Sequence, residues 1–470
     1  MYQKPEFFKA LCKFAAKVLP LIDPAIKAAY YPKEFDNYPG LTIADNGFPK
    51  ISKYPSRVDV GKFFYPAYTG AKIAIDPNGY VEYNWMLADL RDTPEFCSYF
   101  SSHNQDLKND RFLKHFLQDF IISFIELYYY RYGIKLSVAK MRQVYLPYEN
   151  FIFAKEVYFD IAVPILFLHF EIEQLSLSDN IEVRKISDEH QRARYRIQNY
   201  SPPTADSVYM SATHELVFKN YHYSRQPTFF NSFHFAQPEI YPVNGFEKFF
   251  SVLKLVTDQT SGFAQILVYP HNWAILAHVD TVHVEGAAIK SYPNYFDDFY
   301  WNKETFPLIT RKQIKEISAL IEKIGKLTDN KVDIALKRFY KSVMRQEEED
   351  IIIDLIIAFE ILLSDNEKND ITYKLSMRIS ALICYYHIGK YKPTEVFGNV
   401  KKMYDYRSAI VHGNHNRAKK NREIQMPNNT IVPVVEIARE YLRLVLMIVI
   451  KEPRHLDPKN NDRLILQGKF

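Results

Sequence analysis

The stretch EEDIIIDLIIAFEILL (348–363) decides how this chain is read. Its apolar residues fall on nearly every side of a 3.6-residue helix, which places it at the buried centre of a bundle rather than on a surface. The same periodicity continues outward from it. Toward the N-terminus, Thr310 followed by Gln313 makes a capping-box signal at the head of RKQIKEISALIEKIGKL (311–327). Between the two, a helix from about Val332 to Arg345 carries a stripe of Ile334, Leu336, Phe339, Tyr340 and Val343. Toward the C-terminus the spacing predicts helices over Thr372 to Ile388, from Pro393 to His412 with Gly413 as the terminating residue, and over Pro433 to Ile450. Short connections favour antiparallel neighbours, so the expected architecture over residues 306–470 is an all-α up-and-down bundle. The exception is the connection Gly413 to Val432, roughly 20 residues rich in Asn and basic side chains, a length that is usually functional or mobile.

Residues 1–305 have a different texture. Alternating aromatic-rich runs at KEVYFDIAVPILFLHFEI (155–172), DSVYMSATHELVF (206–218) and FAQILVYPHNWAILAHVDTVHV (263–284) read as strands. Arg111 to Tyr132 and Gly245 to Leu255 read as helices. The expected fold class is therefore a mixed α+β N-terminal region followed by the all-α bundle, with the boundary near KETFPLIT (303–310) and a further division near residue 145 left open.

Composition bounds the function. At 470 residues, with 47% hydrophobic and 24% charged side chains, the chain is long enough for two or three cored domains and is not of the disordered class. Cys12, Cys97 and Cys384 are far apart with no CxxC pair, which supports neither a disulfide framework nor a zinc ribbon and fits a reducing cytoplasm. The N-terminal MYQKPEFFKALCKFAAKVLPLIDP has lysines among its apolar positions and does not read as a signal peptide. The most apolar runs, Ile351 to Leu363 and Leu442 to Ile450, fall short of the ~20 residues that a bilayer needs. Glycine is scarce, 14 residues in all, and neither GxxxxGK[ST] nor GxGxxG occurs, which excludes P-loop chemistry. A net charge of +5 argues weakly for an anionic partner.

Chemistry concentrates in MYDYRSAIVHG (403–413). Arg407 precedes His412 by five positions, about 140° apart on an ideal helix, with Ser408 and Val411 between them in angle. A single straight helix cannot easily close both side chains on one ligand. A two-fold partner packed on that face would bring two arginines and two histidines into one cleft. Histidine moves a proton near neutral pH and arginine holds a phosphate, so the pair suits a phosphodiester whose own 2′-hydroxyl is the nucleophile, with no metal or other cofactor required.

The stretch from about Val332 to Gly413 resembles the Apea-like HEPN domain, a member of the HEPN superfamily of helical ribonucleases. The matching pieces are DIALKRFYKSVMR (333–345), DLIIAFEILL (354–363), YKLSMRISALI (373–383) and YDYRSAIVHG (404–413), the last matching the superfamily's arginine, four to six residues, histidine motif. The resemblance implies a metal-independent endoribonuclease, assembled as a homodimer and often a toxin in anti-phage abortive infection, with RNA, tRNA among the candidates, as partner. Arg407 and His412 would be the motif arginine and histidine. Ser408 stands where Asn, Asp or His is commoner, and its hydroxyl can still donate to a phosphate. Some members bind without cleaving, so a non-cleaving RNA- or protein-binding module is the alternative. Residues 1–305 would then sense a phage-derived trigger or restrain the nuclease.

Glu360, in the most apolar helix, calls for a cationic partner, with Arg378 or Arg407 the expected one, and would orient the catalytic arginine. Lys401, Lys402, Arg417, Lys419, Lys420 and Arg422 flank the motif as RNA-gripping candidates. A second basic run, Arg184, Lys185, Arg192, Arg194 and Arg196 with Tyr195 and Tyr200 interleaved, is a weaker one. Two rivals fail on spacing. AHVDTVH (277–283) resembles the HxDTV zinc motif of dinuclear aminoacylases and carboxypeptidases, but Ala277 replaces its usual glycine and no glycine-rich loop follows. His214 and Glu215 begin an HE pair that ends on Phe218 where a zinc helix needs histidine.

Overall fold

The computed structural model of the chain describes residues 3–28, 39–53, 60–65, 73–95, 110–197, 206–224, 235–275, 281–365, 369–387, 390–426 and 429–468. The longer helices are α1 (Pro5–Lys27), α2 (Val81–Arg91), α3 (Asp110–Tyr132), α4 (Val138–Phe153), α5 (Val243–Thr257), α6 (Arg311–Gly325), α7 (Lys331–Met344), α8 (Glu348–Leu363), α9 (Ile371–Tyr386), α10 (Pro393–Val411), α11 (Val434–Lys451) and α12 (Pro458–Gln467). The strands are β1 (Gly40–Ile43), β2 (Pro49–Lys53), β3 (Glu156–Pro164), β4 (His169–Phe170), β5 (Gln174–Ser178), β6 (Ile181–Lys185), β7 (His214–Ser224), β8 (Phe263–Pro270), β9 (Glu285–Ser291), β10 (Leu308–Ile309), β11 (Glu423–Gln425) and β12 (Ile431–Pro433). The chain divides into two compact units, one of residues 1–164, 185–240 and 265–289, the other of residues 165–184, 241–264 and 290–470.

In the first unit, Phe7, Leu11, Phe14, Val18, Leu19 and Ile22 recur every three or four residues along α1 and bury that face in one apolar cluster with α2, α3 and α4. Prolines at 20 and 24 lie inside α1 and Pro147 inside α4. Such residues read as breakers in a sequence, which is why neither helix was expected. Two polar contacts are made within the cluster: Tyr129 Oη donates to Asp23 at 2.9 Å, and the Val60 amide donates to Glu126 at 2.7 Å. The same unit holds an antiparallel ribbon in which β3 lies between β7 and β8, with Ala162 opposite Val217 and Leu267. Gly286 on β9 sits at φ +152, and a Cβ there would lie 2.1 Å from the Ile266 carbonyl oxygen, so only glycine permits that approach. The run 206–218 is not one strand: Asp206–Met210 is helical and the strand begins at His214.

In the second unit α8 is the central helix. Ile351, Ile352, Leu355, Ile356, Phe359, Leu362 and Leu363 are all buried, and α7, α9, α10 and α11 pack around them. Its one fully buried acid, Asp354, is held by Arg338 at 2.6 Å and Arg345 at 2.9 Å. Thr310 caps α6 with its reciprocal Gln313 contact in place. Helix α5 buries Phe246, Phe249, Phe250 and Leu253 against α6, α7 and α11.

Strands are not confined to an α+β region ahead of an all-α bundle, and that expectation is corrected. The two-residue β10 pairs in parallel with β4. More telling, β11 and β12 form an antiparallel hairpin, Ile424 opposite Val432, inside the connection that had read as loop. Glu423-Ile-Gln425 alternates polar and apolar, with Ile424 buried; Ile431 and Val432 are β-branched. The Met426 amide reaches the Thr430 carbonyl at 2.8 Å and Asn429 adopts φ +65, closing the turn. Three-residue strands lie below the length at which alternation is legible.

Candidate functional site

The site is built on the C-terminal end of α10. Pro393 opens this helix, and Val396, Val400, Met403, Tyr404 and Ala409 bury its inner face against α8, α9 and α11. Asn399 completes that face by donating to Tyr441 Oη at 3.0 Å. Away from it, Arg407 and Ser408 are half-buried, and Val411 and His412 are exposed. The helix stops in a Schellman motif: the Gly413 amide donates to the Ile410 carbonyl at 3.0 Å and the Asn414 amide to the Ala409 carbonyl at 2.8 Å, with Gly413 at φ +66. His412 is thus the capping residue, its ring at the negative end of the helix.

Asn414 then starts a second, short helix, His415–Asn421, by accepting the Arg417 amide on Oδ1 at 3.1 Å. This helix carries Lys419 and Lys420, both exposed. Arg417 folds back on Asp405 at 2.6 Å. Arg422 grips Glu348, at the head of α8, through two contacts of 2.7 and 3.1 Å, and Tyr406 Oη donates to the same carboxylate at 3.4 Å. The guanidinium holds the Glu348 carboxyl below its usual value, and burial first, then the neighbouring Glu348 charge, pushes the Tyr406 phenol up to about 12. Lys401 is exposed with Nζ 5.7 Å from the Phe397 ring centre, and Lys402 is half-buried.

Glu360, on α8, meets α10 through a residue that sequence reasoning missed. Tyr404 Oη donates to Glu360 Oε1 at 3.3 Å. Burial, then the Glu360 charge, drives the Tyr404 phenol far above its ordinary value, while Arg407 opposes them. Tyr404 stands three positions before Arg407 and so shares its side of the helix, a spacing that was the available signal. Arg407 Nε is buried and makes no hydrogen bond. Arg378 does not serve Glu360: it is buried between Asp462, at 2.7 Å, and Asp365, at 2.8 Å, and also donates to the Leu363 carbonyl.

The second basic run is largely structural where it is described. Arg194 is fully buried, donating to Gln191 and Gln265 side chains and to the carbonyls of Tyr209, Met210 and Ala212. Arg192 donates to the Pro39 carbonyl and Arg184 to Glu182. Tyr200 lies outside the described residues, as do His278 and Asp280. His214 and Glu215 are buried on a strand, where Glu215 accepts from Tyr269 Oη at 2.6 Å. Among the described residues no group of three or more His, Cys, Asp or Glu is placed to hold a metal ion, and no helix is long and apolar enough to cross a membrane.

Comparison with protein-family models, curated proteins and solved structures finds no match for this chain. The chemistry of the site is therefore read from its own residues: an arginine with an unspent donor, a hydroxyl and an exposed imidazole on the last turns of one helix, followed by a basic helix.

Proposed function

We propose that this chain is a metal-independent endoribonuclease of HEPN type, acting in the cytoplasm as a homodimer and serving as an effector of anti-phage abortive infection. The observation that carries the reading is Arg407: its Nε is buried without a hydrogen-bond partner, within two turns of the exposed His412. A buried donor left unmade is costly unless an acceptor comes to it, and a phosphate oxygen is the acceptor that a guanidinium takes best. In the reaction, the RNA 2′-oxygen attacks phosphorus as the bond from phosphorus to the 5′-oxygen breaks. His412 accepts or returns the proton, and Arg407 with Ser408 steadies the phosphoryl oxygens. The ends left are a 2′,3′-cyclic phosphate and a 5′-hydroxyl. Lys401, Lys402, Lys419 and Lys420 hold the flanking backbone, and a phage-derived trigger acts through residues outside this site.

The test is RNA cleavage by the purified chain in EDTA, with tRNA among the substrates and with phage lysate as trigger. Wild-type protein is expected to yield cyclic-phosphate ends, and Arg407→Ala or His412→Ala to lower the rate about 10²-fold or more with the fold intact. Cutting that persists in both variants, or that stops with chelator, overturns the reading. RNA retained without cut products under every trigger replaces it with a non-cleaving binding module.

A further inference from the structure

We infer that Tyr404 is a positioning residue of this site, holding the Glu360 carboxylate off Arg407 so that the arginine's charge stays free for a phosphodiester. The inference rests on the nuclease reading for its consequence and on the geometry of three side chains for its substance. Glu360 lies on α8 and Arg407 on the neighbouring α10, the two helices pack together, and Tyr404 stands one turn before Arg407. Both side chains act electrostatically on the Tyr404 phenol, and a half-buried carboxylate and guanidinium that reach one residue are the kind of pair that planar, two-pronged geometry favours most. Here it is not made. Glu360 Oε1 accepts instead from Tyr404 Oη at 3.3 Å, and Arg407 Nε is left buried with no acceptor.

Tyr404 is itself only 6% exposed, so its hydroxyl has little water to turn to, and its ring is wedged in the packed face of α10. The phenol stays protonated at any physiological pH because burial and the nearby carboxylate both oppose its ionisation. It is therefore a fixed donor. Remove the hydroxyl and the carboxylate loses its partner on α10, turns to Arg407 and cancels the charge that the transition state needs. Neutralise Glu360 as well and that capture has no driving force.

The test uses the full chain as wild type, Tyr404→Phe, and Tyr404→Phe combined with Glu360→Gln. Two readouts are taken: steady-state RNA cleavage in EDTA, and the Nε–H resonance of Arg407 in protein labelled with 15N-arginine, assigned through Arg407→Lys. In wild type the Arg407 resonance is expected at the position of an unpaired guanidinium. In Tyr404→Phe it is expected to move downfield to the carboxylate-bonded position, with kcat down by about 10-fold or more and KM little changed; the double variant should recover on both readouts. A merely structural tyrosine would lower thermal stability and leave the resonance and the split between kcat and KM alone. A carboxylate-bonded signal in wild type overturns the inference with no substitution made, as does a double variant no more active than Tyr404→Phe. If the resonance moves as expected while wild type cuts no RNA, the nuclease reading falls and the positioning of Arg407 stands.

Discussion

Single side chains carry more of this molecule's stability than their type suggests. Arg194 stands in a basic run that reads from sequence as a candidate nucleic-acid contact. Instead it is 0% exposed, bonded to five acceptors, and pulled down to about 10 by burial. Nothing in the sequence separates it from Arg192 two positions earlier, because four of its five acceptors come from residues 209–212 and 265. Arg194→Met should destabilise the chain by about 3 kcal/mol or more, read as a lower urea midpoint, since carbonyls and amides are left buried without donors. A change within 0.5 kcal/mol would show that water replaces the guanidinium. His455 supplies a pH dependence. Its ring is buried, 2.8 Å from Tyr386 Oη on one nitrogen and 2.7 Å from Asn461 Oδ1 on the other, and burial, reinforced by Arg454, lowers its pKa. The unfolded chain takes up this proton near 6.5 and the folded chain only at lower pH. Folding is therefore favoured fully above 6.5, and that contribution is lost as pH falls below it. The urea midpoint of wild type should drop between pH 8 and pH 5 by more than that of His455→Gln. Equal drops would mean that other groups account for the slope, His387, also lowered by burial, being the first to examine.

At the scale of elements, α6 to α11 were legible, most of them through their own punctuation, whereas α12 (Pro458–Gln467) and the short helix His415–Asn421 were not read. The capping box at Thr310, the run 348–363 and Pro393 stand at or within one residue of the observed ends, and Gly413 stands two residues past the end of α10. What was illegible had separate causes: prolines inside α1 and α4, a partner distant in sequence for the two-residue pairing of β4 with β10, and strands too short to show alternation in the β11–β12 hairpin. Of the site, Arg407, Ser408 and His412 were readable as a motif on one helix, whereas Tyr404 between Glu360 and Arg407 and the Arg422 clamp on Glu348 join α8 to α10 and its following segment across 44 and 74 positions. Gly413 is the element-level test. A Cβ there would touch nothing within 4 Å, so Gly413→Ala costs only the left-handed backbone, about 1 kcal/mol. Its larger expected effect is on cleavage, because the last turn that presents His412 loses its stop. Unchanged cleavage together with the expected loss of stability would show that His412 is held by something other than the Schellman turn.

For the whole molecule, the angular separation of Arg407 and His412 makes assembly a testable matter. If one cleft draws both residues from two copies, an equimolar mixture of Arg407→Ala and His412→Ala chains should regain part of the wild-type rate, through mixed pairs that hold one arginine and one histidine. A mixture as inactive as its components would place the full site within each copy. The division of the chain bears on how such a protein is made. Its second unit gathers residues 165–184 and 241–264 together with everything from 290 onward, and α5 lies in the middle of those pieces with its phenylalanines set against α6, α7 and α11. A fragment cut at residue 306 lacks α5 and bares the apolar faces that it covers, so it should be less soluble than one that begins at 241. The same interleaving orders events on the ribosome. Strands and a helix that belong with the last-made segment emerge well before it and must wait, at ~5–20 residues per second, for α8, α10 and α11 to arrive. A chain interrupted between His412 and α11 holds Arg407 and His412 without the packing of α11 against α8 and α10, so any activity that depends on their placement arises only after the final helices have left the ribosome.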